Sequence, residues 1–269
     1  MIELDGAVVC VTGAARGIGR ATAAELSRRG ALVWIGDLDA EEAARTAAEI
    51  DAKSMYLDVT KEESLRKFWA AASADGPVRM LVNNAGIMRL GPFVDQSLEG
   101  HHQEVAVNLG GVINGMYVFL PDMLARNCGH IVNVASMAAK VTTPGIAVYC
   151  ATKFAVAALS RAVRAEIAHT AVTVTTIMPA AVNTELTSGV SLDLQPTLQP
   201  EQVGRAIADT ARRPGREVTV PRWLAPIGTL EEAAPERLLQ VAKRVVTRNR
   251  PPGDYDDTQR RAYLDRILR

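Results

Sequence analysis

Three observations predict a doubly wound parallel α/β sheet in one domain with a C-terminal helical extension. Short apolar runs of strand length alternate with helical segments between residues 7 and 220, the pattern of parallel strands joined by right-handed crossovers. The first run enters a glycine turn, Gly13-Ala14-Ala15-Arg16-Gly17-Ile18-Gly19, which opens a helix. At 269 residues, with 48% hydrophobic but only 4% aromatic residues, the chain can bury one sizeable core of Ala/Val/Leu-rich helices on a sheet. The domain is placed at residues 1–222 and the extension at 223–269.

Residues 7–12 read as a buried parallel strand. Residues 17–29 follow as a helix that Gly30 closes, since glycine adopts the left-handed cap without penalty. Residues 31–36 form the second strand, with Asp37 at its carboxyl end, and 40–50 the second helix. A strand over 54–57 ends at Asp58, a helix spans 61–74, and a fourth strand covers 79–83. Residues 98–126 read as one long helix carrying Asn108. Strands over 129–135 and 172–177 flank a helix over 147–169, whose Ala, Val and Leu content favours that state. A helix over 200–213 and a strand over 217–220 complete the sheet.

Composition removes several classes of function. Thirty basic residues balance thirty acidic ones, so no nucleic-acid footprint is expected. Cys10, Cys128 and Cys150 have no metal-ligand spacing, and an odd number of scattered cysteines reads as reduced thiols. His101, His102, His130 and His169 form no ligand grouping, so no metal is expected. No run approaches about 18 apolar residues, and the first residues lack a signal peptide's basic and apolar regions. The expectation is a cytoplasmic protein.

The chemistry lies around residues 136–153. Tyr149 and Lys153 are four apart in a helical segment, hence on one face. A cation beside a phenol favours the phenolate; lowering an ordinary pKa of ~10 by ~3 units takes about 4 kcal/mol. With 5 Tyr and 6 Lys in the chain, roughly 0.1 such pairs arise by chance. Ser136, 13 residues earlier and just after a strand-like run, reduces that to roughly 0.004. One ammonium in a partly desolvated site, helped by a cofactor cation, is therefore expected to give Tyr149 a lowered pKa and a role in proton transfer.

The glycine turn suits a dinucleotide. Gly13, Gly17 and Gly19 let backbone approach a pyrophosphate, which the free N–H groups of a helix N-terminus attract. Asp37, 18 residues after Gly19, can accept hydrogen bonds from ribose hydroxyls and repels a 2′-phosphate.

Together these pieces resemble the classical short-chain dehydrogenase/reductase family over residues 6 to about 184. They are Thr12 to Gly19, Asp58, Asn83-Asn84-Ala85-Gly86, Asn108, Ser136, Tyr149 with Lys153, and Pro179. The resemblance implies a Rossmann-like fold and hydride transfer between a nicotinamide and a substrate carbon, with Tyr149 exchanging the proton. Ser136 would steady the developing oxyanion. Lys153 would lower the Tyr149 pKa and hold the nicotinamide ribose, and Asn108 would hold a water of a proton relay. Asp58 and Val59 match the adenine contact, Asn84, Ala85 and Gly86 the cleft turn, and Val182 and Thr184 the carboxamide contact. Ile18 completes the cofactor-binding set. Ala180 stands where the family usually has Gly.

NAD is favoured over NADP, because Asp37 would repel a 2′-phosphate and Leu38 offers it no cation. Arg16 argues the other way, since family members using NADP often carry a basic residue there. An NADPH-dependent carbonyl reductase is the enzymatic alternative. A non-catalytic dinucleotide sensor or scaffold would not need Asn108, Ser136, Tyr149 and Lys153 together.

The loops expected at the substrate end carry Ile87, Met88, Leu90, Met137, residues 141–146 and residues 186–198. Their apolar content predicts an apolar alcohol or ketone. The resemblance also implies self-association into a homo-oligomer. After Pro221 the likeness ends: a helix over 230–246 is expected, then Lys243, Arg244, Arg248, Arg250 and a break at Pro251-Pro252-Gly253. Trp223, Leu224, Ile227, Leu238 and Leu239 must cover something. The cleft or a second subunit is favoured over a membrane surface, because the apolar count is modest.

Overall fold

The computed structural model describes residues 1–188, 197–226, 260–261 and 263–265. The helix expected over 230–246 and the break at 251–253 lie outside them. Seven strands form one parallel sheet: β1 (Val8–Thr12), β2 (Leu32–Asp37), β3 (Lys53–Tyr56), β4 (Val78–Asn83), β5 (His130–Val134), β6 (Thr173–Pro179) and β7 (Glu217–Val220). Their order is β3-β2-β1-β4-β5-β6-β7. The chain winds outward from β1 in one direction, then returns beside it at β4 and winds the other way. That reversal opens a crevice at the carboxyl ends of β1 and β4.

Helices cover both faces, and alternate strand residues supply the two cores. Val9, Val11, Val33, Ile35, Val132 and Ile177 meet α1 (Gly17–Arg28), α2 (Ala40–Glu49) and α7 (Pro200–Arg212). Val8, Cys10, Leu81, Ile131, Val174 and Met178 meet α3 (Glu62–Ser73), α5 (Gly111–Ala125) and α6 (Ala147–Glu166). Expected and observed strands agree within two residues at each end. Gly204 lets α7 close on α1, since a Cβ there would stand 2.8 Å from the Ala21 carbonyl oxygen.

The long helix expected over 98–126 is broken in register. α4 (Leu98–Val105) passes through a π turn, Ala106–Gly110, into α5. An i→i+5 turn accommodates an extra residue within a helix, and here it surrounds the buried Asn108. Leu98, Val105, Ile113 and Tyr117 along this pair of helices are exposed.

Buried polar pairing ties the sheet together. Asn83 of β4 donates to the Asn133 side chain of β5 at 2.8 Å. His130 of β5 lies between Thr173 Oγ1 of β6 at 2.7 Å and Thr210 Oγ1 of α7 at 2.9 Å. Burial pushes its imidazole down to about 4, against a smaller opposing effect of the Thr173 hydrogen bond. The unfolded value is near 6.5, so at pH values between the two the unfolded chain holds the extra proton. The neutral ring therefore stabilises the fold fully above pH ~6.5, by about 3 kcal/mol, and that contribution is lost as pH falls through 4. Urea unfolding of wild type should show this loss between pH 6.5 and 4, and His130→Asn should flatten it. Equal pH slopes in the two proteins would clear His130 of the effect.

Candidate active site

A cleft of about 1140 Å³ follows the carboxyl ends of the strands, from Asp37 and Asp58 past Gly13 and Gly86 to Ser136 and Tyr149. Its floor is fixed where the sheet reverses. Thr12 Oγ1 accepts from the Asn84 and Ala85 N–H groups at 3.0 and 3.1 Å. Asn84 Nδ2 donates back to the Thr12 and Gly13 carbonyls at 3.0 and 2.8 Å. Asn84 thus acts as a brace between two strand ends.

The glycines divide their work. Gly13 has φ 63° and passes so close to Ala85 that a Cβ would come within 2.6 Å of its Cα. Gly17, at φ 55°, lines the cleft. Gly19 lies among the buried residues of α1, where a Cβ would meet the Gly13 carbonyl oxygen at 2.2 Å. It packs the turn against the helix, and the cleft lining contains Gly13, Gly17 and Ile18. Arg16 is the N-cap of α1 and makes no side-chain capping bond. First-turn N–H groups without intrahelical partners then face the cleft, an arrangement that fits a pyrophosphate.

Asp37 is held at the rim by the Ala15 N–H at 3.0 Å and the Asp39 N–H at 3.1 Å. Asp39 also binds the Arg16 guanidinium at 2.8 Å, with Glu42 at 3.5 Å and Glu185 at 3.9 Å on the same cation. Asp58 accepts from the Thr60 N–H and hydroxyl at 2.9 and 2.7 Å. Val59, Ala85, Gly86, Pro179, Val182 and Thr184 complete this half of the lining. A bridge from Val182 to Leu198 steadies the loop despite Ala180.

At the other half, Ser136 follows two residues after the end of β5, and the first turns of α6 present Tyr149 and Lys153. Ser136 hydrogen-bonds the Tyr149 phenol, and its Oγ also accepts from the Ala138 N–H at 3.1 Å. Lys153 is 4% exposed. Its Nζ donates to the Val134 carbonyl at 2.9 Å and lies 5.5 Å from the Tyr149 ring centre. The expected lowering of the phenol by Lys153 is not what this geometry gives. Burial dominates and pushes Tyr149 up, with the Ser136 hydrogen bond acting against it. The same burial pushes Lys153 down to about 8. Both shifts have one cause: each charged form loses hydration.

Asn108 is fully buried and stands behind the cleft. Its Oδ1 accepts from the Ile87 N–H at 2.8 Å, while Nδ2 donates to the Ile87 carbonyl at 2.8 Å and Thr152 Oγ1 at 3.2 Å. The side chain is spent on holding the loop after β4. One turn earlier, Glu104 is 1% exposed and was not anticipated. Burial pushes its carboxyl up to about 7, against the Arg89 N–H bond and the charges of Arg89, Lys153 and Arg260. Its spacing of four residues from Asn108 on a predicted helix was the available signal.

The end of the cleft beside Tyr149 is apolar. Met88, Ala138, Tyr149 and Cys150 form a cluster against which Leu90, Ile146 and Leu186 pack. Residues 189–196 of the expected lining lie outside the described residues. Leu224 is buried in the cleft wall, whereas Trp223 is 64% exposed. Tyr263 joins the lining from the far end of the chain, a contact with no local sequence signal. Among the described residues no helix is long and apolar enough to cross a membrane, and no cluster of three or more His, Cys, Asp or Glu could hold a metal ion.

Comparison with known proteins agrees with this geometry. The family profile described as short chain dehydrogenase matches residues 7–195. The 2,5-dichloro-2,5-cyclohexadiene-1,4-diol dehydrogenase of Sphingobium indicum is 39% identical over 198 residues, 71% of this chain and 79% of that protein. Estradiol 17-beta-dehydrogenase 11 of Homo sapiens is 32% identical over 254 residues, 91% of this chain and 85% of that protein. A short chain dehydrogenase/reductase from Burkholderia phymatum, solved in complex with NAD, superposes with a TM-score of 0.79 at 26% identity, covering 89% of this chain and 97% of that one. With the cleft at the sheet reversal and the Ser136–Tyr149–Lys153 group at its end, the chain belongs to the short-chain dehydrogenase/reductase family of oxidoreductases.

Proposed function

We propose that the protein transfers a hydride between NAD(H) and an apolar secondary alcohol or ketone, with Tyr149 as general acid and base. The observation that carries this reading is one continuous cleft joining the uncapped N-terminus of α1 to a buried phenol bonded by Ser136 beside Lys153. NAD, when bound, supplies the hydride acceptor and a positive charge. Ser136 and Tyr149 hold the substrate oxygen between two hydroxyls. In oxidation Tyr149 takes the hydroxyl proton as the carbinol hydrogen leaves as hydride; in reduction it returns that proton to the forming alkoxide. Lys153 is a short reach from the phenol, and its charge favours the phenolate. Enclosure of the pair excludes competing water.

Asp37 at the rim supports NAD over NADP. Arg16, the cation nearest at hand for a 2′-phosphate, already faces Asp39, Glu42 and Glu185. The apolar substrate end supports an alcohol on an apolar carbocycle, the kind of group that both relatives' names carry.

Tyr149→Phe keeps the ring and removes the proton-transfer group. Turnover should fall by about 10²–10⁴-fold, while NAD affinity by fluorescence titration stays within a few-fold. Retained turnover would take Tyr149 out of the mechanism. Exchanging Asp37→Ala together with Leu38→Arg should raise kcat/KM with NADP relative to NAD by at least about tenfold, equivalent to about 1.4 kcal/mol. A wild type that already prefers NADP would reverse the cofactor assignment.

Glu104 sets the pH range through its charge. Its carboxylate raises both Lys153 and Tyr149, so Glu104→Gln should lower both. The pH profile of kcat/KM should move to lower pH, most visibly on the alkaline side, where Lys153 loses its proton near 8. An unmoved profile in a folded variant would remove Glu104 from the electrostatics of the site.

A further inference from the structure

The far end of the chain returns to the reaction cleft. Arg260 and Tyr263 lie three residues apart in a helical segment, on one face. Arg260 is 0% exposed. Its Nη2 donates to the Met88 carbonyl at 2.6 Å, and its Nη1 donates to the Leu186 and Ser188 carbonyls at 2.9 and 3.0 Å. Met88 belongs to the loop after β4, and Leu186 and Ser188 to the loop after β6. One guanidinium therefore ties two loops on different strands. Tyr263 accepts from the Met88 N–H at 2.7 Å, so both polar groups of Met88 are held from the C-terminal segment. The guanidinium carbon lies 4.7 Å from the Tyr263 ring centre, and the charge of Glu104 faces it.

We propose that Arg260 and Tyr263 are specificity-determining residues, which lock the loops after β4 and β6 into a fixed end wall. The wall admits a compact cyclic alcohol or ketone and shuts out one with a long alkyl chain. This rests on the oxidoreductase reading above. The physical argument is the cost of a buried charge. A guanidinium out of water must keep its acceptors, and removing one leaves an uncompensated ion. The two loops cannot part without breaking those bonds. A lysine in the same place would lack the planar fork that reaches several carbonyls at once. Met88, Leu186 and Tyr263, which the lock positions, are themselves cleft lining. The lock thereby sets the shape of the apolar end without touching the reacting atoms.

The test uses the full chain with NAD(H), comparing wild type, Arg260→Ala and the milder Tyr263→Phe. Each is assayed with cyclohexanol and 2-dodecanol, and the matching ketones are titrated by calorimetry, which needs no turnover. In Arg260→Ala the preference for the compact over the long substrate should fall by about tenfold or more, through KM and affinity. Its kcat with cyclohexanol and its NAD affinity should stay within a few-fold. Millimolar guanidinium ion should restore the preference. Tyr263→Phe should move it in the same direction by a smaller factor, and amide exchange at Met88 should quicken in both variants. Unchanged selectivity in both variants, or failure of guanidinium to act on a folded Arg260→Ala, would overturn the proposal. Wild-type selectivity in ketone binding that both variants lose, with no turnover of either alcohol, would support the lock and overturn the proposed alcohol/ketone reaction alone.

Discussion

Everything at the cleft depends on the joint between β1 and β4. Two strands adjacent in the sheet but 72 residues apart in sequence must end at the same height, with the chain leaving in opposite directions. The Thr12 hydroxyl and the Asn84 amide achieve this by exchanging bonds with each other's backbone. A buried turn would otherwise strand several backbone groups, each costing about 1–3 kcal/mol. Satisfying them with side chains frees the backbone to bend sharply, and the pass of Gly13 against Ala85 exploits that freedom. The N-terminus of α1 is aimed by this joint, and the loop carrying Met88 departs from it.

The second constraint is desolvation. Tyr149, Lys153 and Glu104 each lose water, and each shifts away from its charged form. Their mutual effects oppose this only in part. Glu104 assists Lys153 toward the ammonium, yet it works against the phenolate of Tyr149. A site built this way favours a neutral phenol in the protein alone. Proton affinity near a reacting group is set by the sum of surrounding charges, and one lysine at helical spacing is a single contribution to that sum.

What the sequence disclosed follows from distance along the chain. Strand, glycine turn and helix are contiguous, and Tyr149 with Lys153 is one turn of α6, so pattern and spacing suffice. Ser136 was legible because a strand end is fixed by the apolar run before it. Burial of the pair was not legible, because it arises from packing of separate segments, and in the protein alone it opposes the shift that the spacing suggests. Asn108 was found by position, but its bonds to Ile87 and Thr152 depend on residues 21 and 44 places away. Arg260 reaches Met88 across 172 residues, and nothing near either residue marks the contact. The close packing at Gly19 was not legible either, because a motif does not say which glycine lines a cleft and which lets backbone segments meet.

The π turn at Ala106–Gly110 reconciles two registers. Glu104 before it and Asn108 within it must point at the loop after β4. Downstream, Gly111 must lie against Val59 and Gly115 against the Asn83 side chain, where a Cβ would stand 2.7 and 2.2 Å from them respectively. Each residue of an α-helix turns the chain by about 100°. The π turn takes up its extra residue without passing that rotation on; the same number of residues wound as plain α-helix would rotate α5 by that angle and carry both glycines off their partners. The extra residue is thus absorbed in one turn, and a single helical path serves the loop after β4 before it and Val59 and Asn83 after it.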